Sequence, residues 1–239
     1  MTQMEGELSP KHLVLLPGLD GTGVLFADFL KVLPSSCNTT VVSYPTNIFL
    51  PYSELIQLVR DAVPKTEPFI VLAESFSTPL AFKYAATNPS NLAAVVICAG
   101  FARNPFVGWS GFVKAVAKPW FFRLKPPKFV LEYFLVGRNA PPQLIRRLRQ
   151  TLQRVHPEVL SSRVREVMDC DARNELARIT VPVMASAALH DRLLSASCQK
   201  EILRVRPDIG FATVEGPHML LQREPQKVAN LVVPFIATS

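Results

Sequence analysis

Short apolar runs alternate with stretches of helical periodicity along most of the chain. Continuous apolar or β-branched runs predict strands at residues 11–16, 39–43, 69–72, 92–99, 181–187 and 210–214. Apolar residues at helical spacing predict helices at residues 24–33, 52–63, 196–205 and 225–236. Because strand and helix alternate, we expect an α/β fold with a mostly parallel sheet of about six strands, flanked by helices.

The alternation is interrupted by a segment of different composition, residues 101–177. This segment contains both tryptophans, 7 of the 15 phenylalanines and several prolines, with helical patterns between the prolines. Residues 143–155 place aliphatic side chains on one side and arginines on the other. We therefore predict a core formed by residues 11–100 and 178–239, with residues 101–177 as a helical insertion.

The net charge of +7 is concentrated in this insertion. Residues 101–180 hold 15 Lys and Arg against 6 Asp and Glu, a net charge of +9, and the remainder holds 11 against 13, a net charge of −2. The simplest interpretation of the arginines is a solvated helix face. No nucleic-acid-binding motif accompanies the basic residues, so we do not expect a nucleic acid partner.

Several classes of protein are disfavoured by what the sequence lacks. No run approaches 18 apolar residues and the first residues do not form a signal-peptide pattern, which predicts a cytoplasmic protein without an integral membrane segment. The four cysteines and four histidines are too dispersed for the usual metal-ligand spacings. We expect buried free thiols, no metal and no cofactor.

A serine occupies the junction between the third apolar run and the following helix, in the sequence PFIVLAESFSTP. A strand that passes abruptly into a helix exposes the residue at the turn beside the free N–H groups of the helix N-terminus. Ser75 is therefore a candidate nucleophile, with a helix N-cap as the alternative. The hydroxyls of Ser77 and Thr78 are expected to satisfy N–H groups of the first helical turn.

Three further loops follow predicted strands. The first, PGLDGTG at residues 17–23, is rich in glycine, but its spacing matches neither a phosphate-binding loop nor a dinucleotide motif. Asp20 is expected to brace this loop by bonding to its own backbone. Asp191 follows the fifth strand and His218 the sixth, and both are candidate catalytic groups. Two other acids, Asp208 and Glu215, stay open as alternatives to Asp191, while His12, His156 and His190 are expected to be surface or loop residues.

The motifs LPGLDGTG, AESFST, LHDRLL and GPHMLLQ, each at a strand end and in this order, resemble those of the α/β-hydrolase superfamily, in particular of carboxylesterase-like serine hydrolases. The resemblance covers residues 11–236. It implies a nucleophile at Ser75, a general base at His218 and an acid at Asp191 that orients the base. It also implies an oxyanion hole formed by the backbone N–H groups of Leu19 and Phe76.

The sequence departs from the superfamily pattern at two places. Ala73 and Ser77 stand where the elbow motif G-x-S-x-G has glycine, and both are the next smallest residues. Pro17 precedes Gly18 where many relatives have histidine, which leaves the backbone donor intact. Neither change removes a catalytic group.

The insertion lies where relatives carry a lid over the active site. A lid rich in Phe, Trp and Leu implies an apolar substrate, so we expect a carboxylic ester hydrolase acting on small to medium acyl esters, with Met219, Trp109 and Phe112 lining the pocket. The basic lid is also similar to the cap of pimeloyl-acyl carrier protein methyl ester esterases, which implies an acidic acyl carrier protein as a partner. The loop LPGLDGTG looks like that of plastid phytyl ester synthases, which implies an acyltransferase. A non-catalytic binding protein on the same fold is the remaining alternative.

Overall fold

Six strands form one parallel sheet in the order β2-β1-β3-β4-β5-β6. The computed structural model describes residues 12–108, 110–124 and 126–238. The strands are β1 (His12–Leu16), β2 (Thr39–Val41), β3 (Phe69–Glu74), β4 (Leu92–Cys98), β5 (Val183–Ala188) and β6 (Gly210–Val214). All five strand pairings are parallel, which confirms the predicted fold class.

The central strands are buried on both faces. Every residue of β3 is buried, including its final Glu74. Helices on both sides of a parallel sheet remove both faces from water, which explains why these strands are continuous apolar runs instead of alternating ones. The edge strand β6 exposes Gly210 and Phe211 and buries only Val214 fully.

Helices outside the insertion cover the two faces of the sheet. They are α1 (Ala27–Leu30), α2 (Tyr52–Ala62), α3 (Thr78–Ala85), α10 (Ala196–Val205), α11 (Leu220–Arg223) and α12 (Pro225–Thr238). The helix predicted at residues 24–33 was too long: a 3-10 turn at Val24–Phe26 precedes α1, which ends at Leu30. Val32 N–H then donates to the Phe29 carbonyl in an i→i+3 turn just ahead of Pro34, which cannot extend a helix.

The segment between β4 and β5 is helical. It contains α4 (Ser110–Val116), α5 (Pro119–Arg123), α6 (Lys128–Leu131), a π-helical turn (Glu132–Val136), α7 (Pro142–Gln153), α8 (Pro157–Asp169) and α9 (Arg173–Arg178). Helix α7 buries Leu144, Ile145 and Leu148 in an apolar cluster with Leu25 and Met219 from outside the insertion. The apolar stripe predicted at residues 143–155 thus attaches the insertion to the rest of the protein.

Two absences concern only the part of the chain that the structure describes. None of its helices is both long and apolar enough to cross a lipid bilayer. No three of its His, Cys, Asp or Glu side chains lie close enough together to hold a metal ion.

The thiols of Cys98, Cys170 and Cys198 are buried. Burial raises the pKa of Cys98 and Cys170 to about 12, which suppresses thiolate chemistry there.

Candidate active site

The serine at the carboxyl end of β3 has a strained backbone. Ser75 has φ 47°, in the left-handed region, and begins a 3-10 turn that leads into α3. A side chain other than glycine in this region costs about 1–3 kcal/mol, so such residues persist where the surrounding structure enforces them. Ala73 and Ser77 on either side are completely buried, which explains why only small residues fit there.

Ser75, His218 and Asp191 form one hydrogen-bonded chain. Ser75 Oγ lies 3.0 Å from His218 Nε2, and His218 Nδ1 lies 2.7 Å from Asp191 Oδ2. An ionised carboxylate can only accept, so the imidazole proton resides on Nδ1 and Nε2 is left to accept the serine proton. The side chains of His218 and Asp191 are 5% and 3% exposed, which shields this chain from water.

The orientation of Asp191 is fixed by backbone donors. Its Oδ1 accepts hydrogen bonds from the N–H groups of Leu193 and Leu194, each at 2.8 Å, which leaves Oδ2 for the histidine. The two alternative acids are engaged elsewhere: Asp208 pairs with Arg206 at 2.7 Å, and Glu215 lies 4.0 Å from His190 at the surface. The geometry therefore places Asp191, and neither alternative, beside His218.

The glycine-rich loop after β1 is held by its carbonyl groups. Each of the five carbonyls of residues 17–21 accepts a hydrogen bond. The donors are, in order, Ser77 Oγ, Gly21 N–H, Arg163 Nη1 for both Leu19 and Asp20, and Tyr44 N–H. Because a trans peptide directs its C=O and N–H in opposite directions, the bond from Gly21 to the Gly18 carbonyl also fixes the direction of the Leu19 N–H. The loop is thus rigid at the predicted oxyanion donor.

Two polar side chains behave differently at this loop. Asp20 Oδ1 accepts from the Thr22 N–H at 2.9 Å, which confirms that it braces its own loop. The prediction for Ser77 was wrong, because its hydroxyl caps no N–H of α3 and instead donates to the Pro17 carbonyl. The loop carbonyl is a closer partner for that hydroxyl, and the bond joins the elbow to the glycine-rich loop.

Arg163 of α8 contradicts the interpretation of the arginines as a solvated face. It is 1% exposed and donates to the carbonyls of Leu19, Asp20 and Pro45 at 2.7–2.9 Å. A Cβ at Gly21, where φ is 71°, would lie 2.5 Å from Arg163 Nη1, so the loop backbone packs directly on the guanidinium. Sequence reasoning missed it, although Arg163 falls on the same helical stripe as the buried Val159, Leu160 and Val167.

A second buried charge, Glu74, was also missed. It directly precedes Ser75, is 6% exposed, and accepts from Gln222 Nε2 at 3.3 Å. Burial raises the pKa of its carboxyl to about 7, and the Asp20 carboxylate adds to this, against the Gln222 hydrogen bond and the His218 ring. The signal available in the sequence was a carboxylate at the end of a strand that is otherwise entirely apolar.

A cavity of about 610 Å³ adjoins the Asp191 loop. Its walls include Phe106, Phe112 and Phe134 from the insertion side and Leu193 from the loop after β5. The predicted pocket residue Phe112 thus lies on a cavity wall. Met219 is packed in the apolar cluster with α7, and its contact with substrate stays a prediction. Trp109 lies outside the described residues.

Comparison with known proteins identifies the architecture. No protein family model matches the sequence, and no curated protein matches it. Among solved structures, a hydrolase from Oleispira antarctica superposes with a TM-score of 0.81 at 13% identity, covering 96% of this chain and 92% of the other. An enol-lactonase from Burkholderia xenovorans LB400 gives 0.80 at 15% identity over 95% and 91%. A lipase-esterase related protein from Clostridium acetobutylicum ATCC 824 gives 0.77 at 16% identity over 95% of both chains.

The chain adopts the α/β-hydrolase fold. In α/β-hydrolases the nucleophile, acid and base follow each other along the chain at the carboxyl ends of sheet strands. Here Ser75, Asp191 and His218 follow β3, β5 and β6 in that order. The hydrogen-bonded chain therefore joins loops at the carboxyl ends of three strands of the sheet.

Proposed function

We propose that this α/β-hydrolase is a serine esterase that cleaves carboxylic esters through an acyl-enzyme. The observation that carries the proposal is the Ser75–His218–Asp191 chain at the carboxyl edge of the sheet, with the serine on a strained turn. A buried histidine held by a buried carboxylate and aimed at a serine hydroxyl is the arrangement that activates serine as a nucleophile.

The reaction proceeds in two halves. Ser75 Oγ attacks the ester carbonyl carbon while His218 Nε2 takes the hydroxyl proton, and the resulting imidazolium is stabilised by Asp191. Collapse of the tetrahedral intermediate breaks the bond to the alcohol oxygen, which leaves with the proton from Nε2. A water molecule then loses a proton to Nε2 and its oxygen attacks the acyl carbon. Collapse of this second tetrahedral intermediate breaks the bond to Ser75 Oγ, which takes back the proton from Nε2 as the carboxylic acid leaves.

Negative charge on the former carbonyl oxygen is stabilised by the N–H groups of Leu19 and Phe76. The Phe76 N–H follows the nucleophile at the start of a helical turn, where N–H groups have no helical partner. The Leu19 N–H belongs to the loop whose carbonyls are all held by donors. Donors that do not have to reorganise during the reaction are worth about 3–4 kcal/mol each.

An apolar acyl or alcohol group is the substrate feature that the cavity favours. Phe106, Phe112, Phe134 and Leu193 are among its apolar lining residues, and Arg192 also lines it, with its guanidinium 4.3 Å from the Tyr133 ring centre. A volume of about 610 Å³ is within the range of small-molecule sites. Small to medium acyl esters fit this volume.

Covalent labelling tests the nucleophile. A fluorophosphonate probe should label the wild type on Ser75, and Ser75→Ala should lose both labelling and p-nitrophenyl ester hydrolysis, by about 10⁴-fold or more. Asp191→Asn should lower kcat by about 10⁴-fold, because the histidine tautomer would no longer be fixed. A panel of esters of increasing chain length would define the acyl preference.

The exposed Ser53 on α2 provides the matched control, since Ser53→Ala should keep full labelling and activity. Undiminished labelling of Ser75→Ala would refute the proposal. An unlabelled, inactive wild type would favour a non-catalytic binding protein on the same fold.

Two related possibilities concern the acceptor and the partner. Added long-chain alcohol would yield a new ester if the acyl-enzyme transfers to alcohols, and only the acid if it hydrolyses. An acidic acyl carrier protein would bring its ester to the basic insertion, and the KM for that substrate would then rise with ionic strength.

The cytoplasmic location expected from the sequence is a prediction that cell fractionation would test.

A further inference from the structure

Exposed apolar side chains are concentrated in one part of the insertion, residues 107–134, which we call the aromatic segment. Of the twelve large apolar side chains that are exposed within the described residues, eight belong to it. They are Val107, Phe112, Trp120, Phe121, Leu124, Phe129, Tyr133 and Phe134. Phe129 is 71% exposed and Trp120 59%, so these side chains contribute little to the core. Concentrated apolar exposure of this kind indicates a binding surface.

The helices that display these side chains are themselves anchored. Phe122 packs from α5 against the cluster of Val155, Val159 and Leu160, while its neighbours Trp120 and Phe121 remain exposed. Arg149 donates to the Pro126 carbonyl at 3.1 Å and fixes the connection to α6. The exposed side chains are therefore held on a supported surface.

Cations are interspersed with these apolar groups. The aromatic segment has five Lys and Arg residues and one acid, Glu132, a net charge of +4. Lys118, Arg123 and Lys128 are exposed. Arg123 contacts Glu158 at 3.1 Å and Lys128 contacts Glu132 at 3.4 Å, but exposed pairs of this kind are weak and exchange readily for another anion.

The residue types of the aromatic segment favour a membrane over a protein as its binding partner. Four of the five cations are lysines. Lysine is depleted at protein–protein interfaces, where arginine is the preferred cation. Lysine beside Trp, Phe and Leu is instead the composition of segments that lie in the interfacial region of a membrane, with the rings at headgroup level and the ammonium groups on anionic phosphates.

We propose that the aromatic segment docks on an anionic lipid surface. Val107, Phe112, Tyr133 and Phe134 also line the 610 Å³ cavity, so docking through these residues would bring the cavity next to the lipid. An apolar ester dissolved in the bilayer would then enter without crossing water. This last consequence rests on the proposed esterase function, whereas the docking itself does not.

Tryptophan fluorescence and vesicle flotation test the proposal. Both tryptophans of the chain lie in the aromatic segment, so vesicles of phosphatidylglycerol and phosphatidylcholine should shift the emission to the blue. The double variant Phe121→Ser/Phe129→Ser should lower the partition coefficient by about tenfold or more. Ile48→Ser, at a site that is 60% exposed outside the segment, should leave it unchanged.

The electrostatic contribution to vesicle binding is tested with a double lysine variant and a matched double arginine control. Lys118→Gln/Lys128→Gln should weaken binding by about fivefold for each lysine, with less effect as salt is raised. Arg146→Gln/Arg154→Gln, which neutralises two exposed arginines on and just after α7, should leave binding unchanged. Equal binding to pure phosphatidylcholine would overturn the requirement for anionic lipid.

Other results would overturn the proposal itself. These are an unshifted emission, an Ile48→Ser defect as large as that of the double variant, an acidic carrier protein that binds this segment when vesicles do not, or a dimer that the double variant dissociates. Ser75→Ala should bind vesicles as the wild type does. Loss of esterase activity with intact flotation would therefore contradict only the proposed function, and intact activity without flotation only this inference.

Discussion

The insertion consists of two parts that use similar residues in opposite ways. The aromatic segment, residues 107–134, carries a net charge of +4 and exposes eight large apolar side chains to solvent. Residues 142–178, which we call the arginine segment, carry 8 Lys and Arg against 5 Asp and Glu, a net charge of +3. This segment buries its apolar side chains and also one arginine, Arg163.

The difference shows that basic composition does not determine exposure. Arg163 is buried because its guanidinium donates to the carbonyls of Leu19 and Asp20 in the glycine-rich loop and of Pro45, and the ring centres of Tyr44 and Phe76 lie within 6.0 Å of it. No comparable set of acceptors is formed at Lys118 or Lys128, which remain at the surface. Whether a cationic side chain is buried therefore depends more on the hydrogen-bond acceptors around it than on its charge.

The largest expected change in the free energy of unfolding follows from replacing Arg163, and the exposed Arg146 of the same segment serves for comparison. Arg163→Met should lower the free energy of unfolding by about 3–5 kcal/mol, because it leaves buried carbonyls unpaired and the buried Asp20 without its cation. It should also lower kcat, since the loop that carries the Leu19 N–H would lose the hydrogen bonds to its Leu19 and Asp20 carbonyls. Urea unfolding and ester hydrolysis measure both effects.

Arg146→Met is the control, because Arg146 is exposed on α7, and its stability should change by less than about 0.5 kcal/mol. Similar values for the two variants would mean that α8 does not anchor the loop. Free guanidinium ion at low concentration should restore part of the activity of Arg163→Ala, and a purely steric role for the side chain would give no recovery.

A pair of apolar truncations contrasts the two segments directly. Leu148→Ala removes a side chain that is 2% exposed and should cost about 2–5 kcal/mol. Phe129→Ala removes one that is 71% exposed and should cost less than about 0.5 kcal/mol. Calorimetric or urea unfolding of the two variants would measure the contrast, and a large loss for Phe129→Ala would show that the aromatic segment is part of the core.

The pH dependence of unfolding should originate in part at Glu74, a buried carboxyl at the end of β3. The pKa of Glu74 is raised by burial to about 7, so the folded state holds a proton that the unfolded state releases near its ordinary pKa of 4.5. Stability from this group is complete below pH 4.5 and is lost as pH rises to 7, by roughly 3 kcal/mol. Glu74→Gln should remove this slope, and an unchanged slope would contradict the assignment.

Among the contacts that hold the arginine segment in place, the smallest effect is expected for the ion pair that joins it to α1. Arg147 Nη1 contacts Asp28 Oδ2 at 2.6 Å, with both side chains about 30% exposed. Asp28→Asn should therefore cost less than about 1 kcal/mol and should lose its effect in high salt. A loss as large as that for Leu148→Ala would mean that the pair, instead of the apolar stripe, attaches α7.

The sequence predicted the strands well because their signal is local. Continuous burial makes β3, β4 and β5 almost entirely apolar, and the chain order of Ser75, Asp191 and His218 follows from the strand that each one follows. The meeting of these three side chains needed only the rule that the carboxyl ends of parallel strands share one edge of the sheet.

The missed features depend on partners that are distant in sequence. Arg163 is separated from Leu19 by 144 positions, so the sequence did not reveal the carbonyls to which it donates, and it was interpreted as part of a solvated face. Ser77 was assigned to its own helix because the Pro17 carbonyl, 60 positions away, could not be located from the sequence. The local sequence does not specify the hydrogen-bond partners of Arg163 and Ser77, because the fold alone brings these distant carbonyls next to them.

Because Arg163 supports the glycine-rich loop, the segment that could be exchanged between related proteins is shorter than the whole insertion. A chimera that grafts a foreign insertion between β4 and β5 would remove the side chain that supports the glycine-rich loop, even though no residue of that loop was altered. A graft limited to residues 107–134 would leave this support in place. For modular engineering, helix α8 should therefore be kept with the glycine-rich loop that it supports, and the exchange should be limited to the aromatic segment.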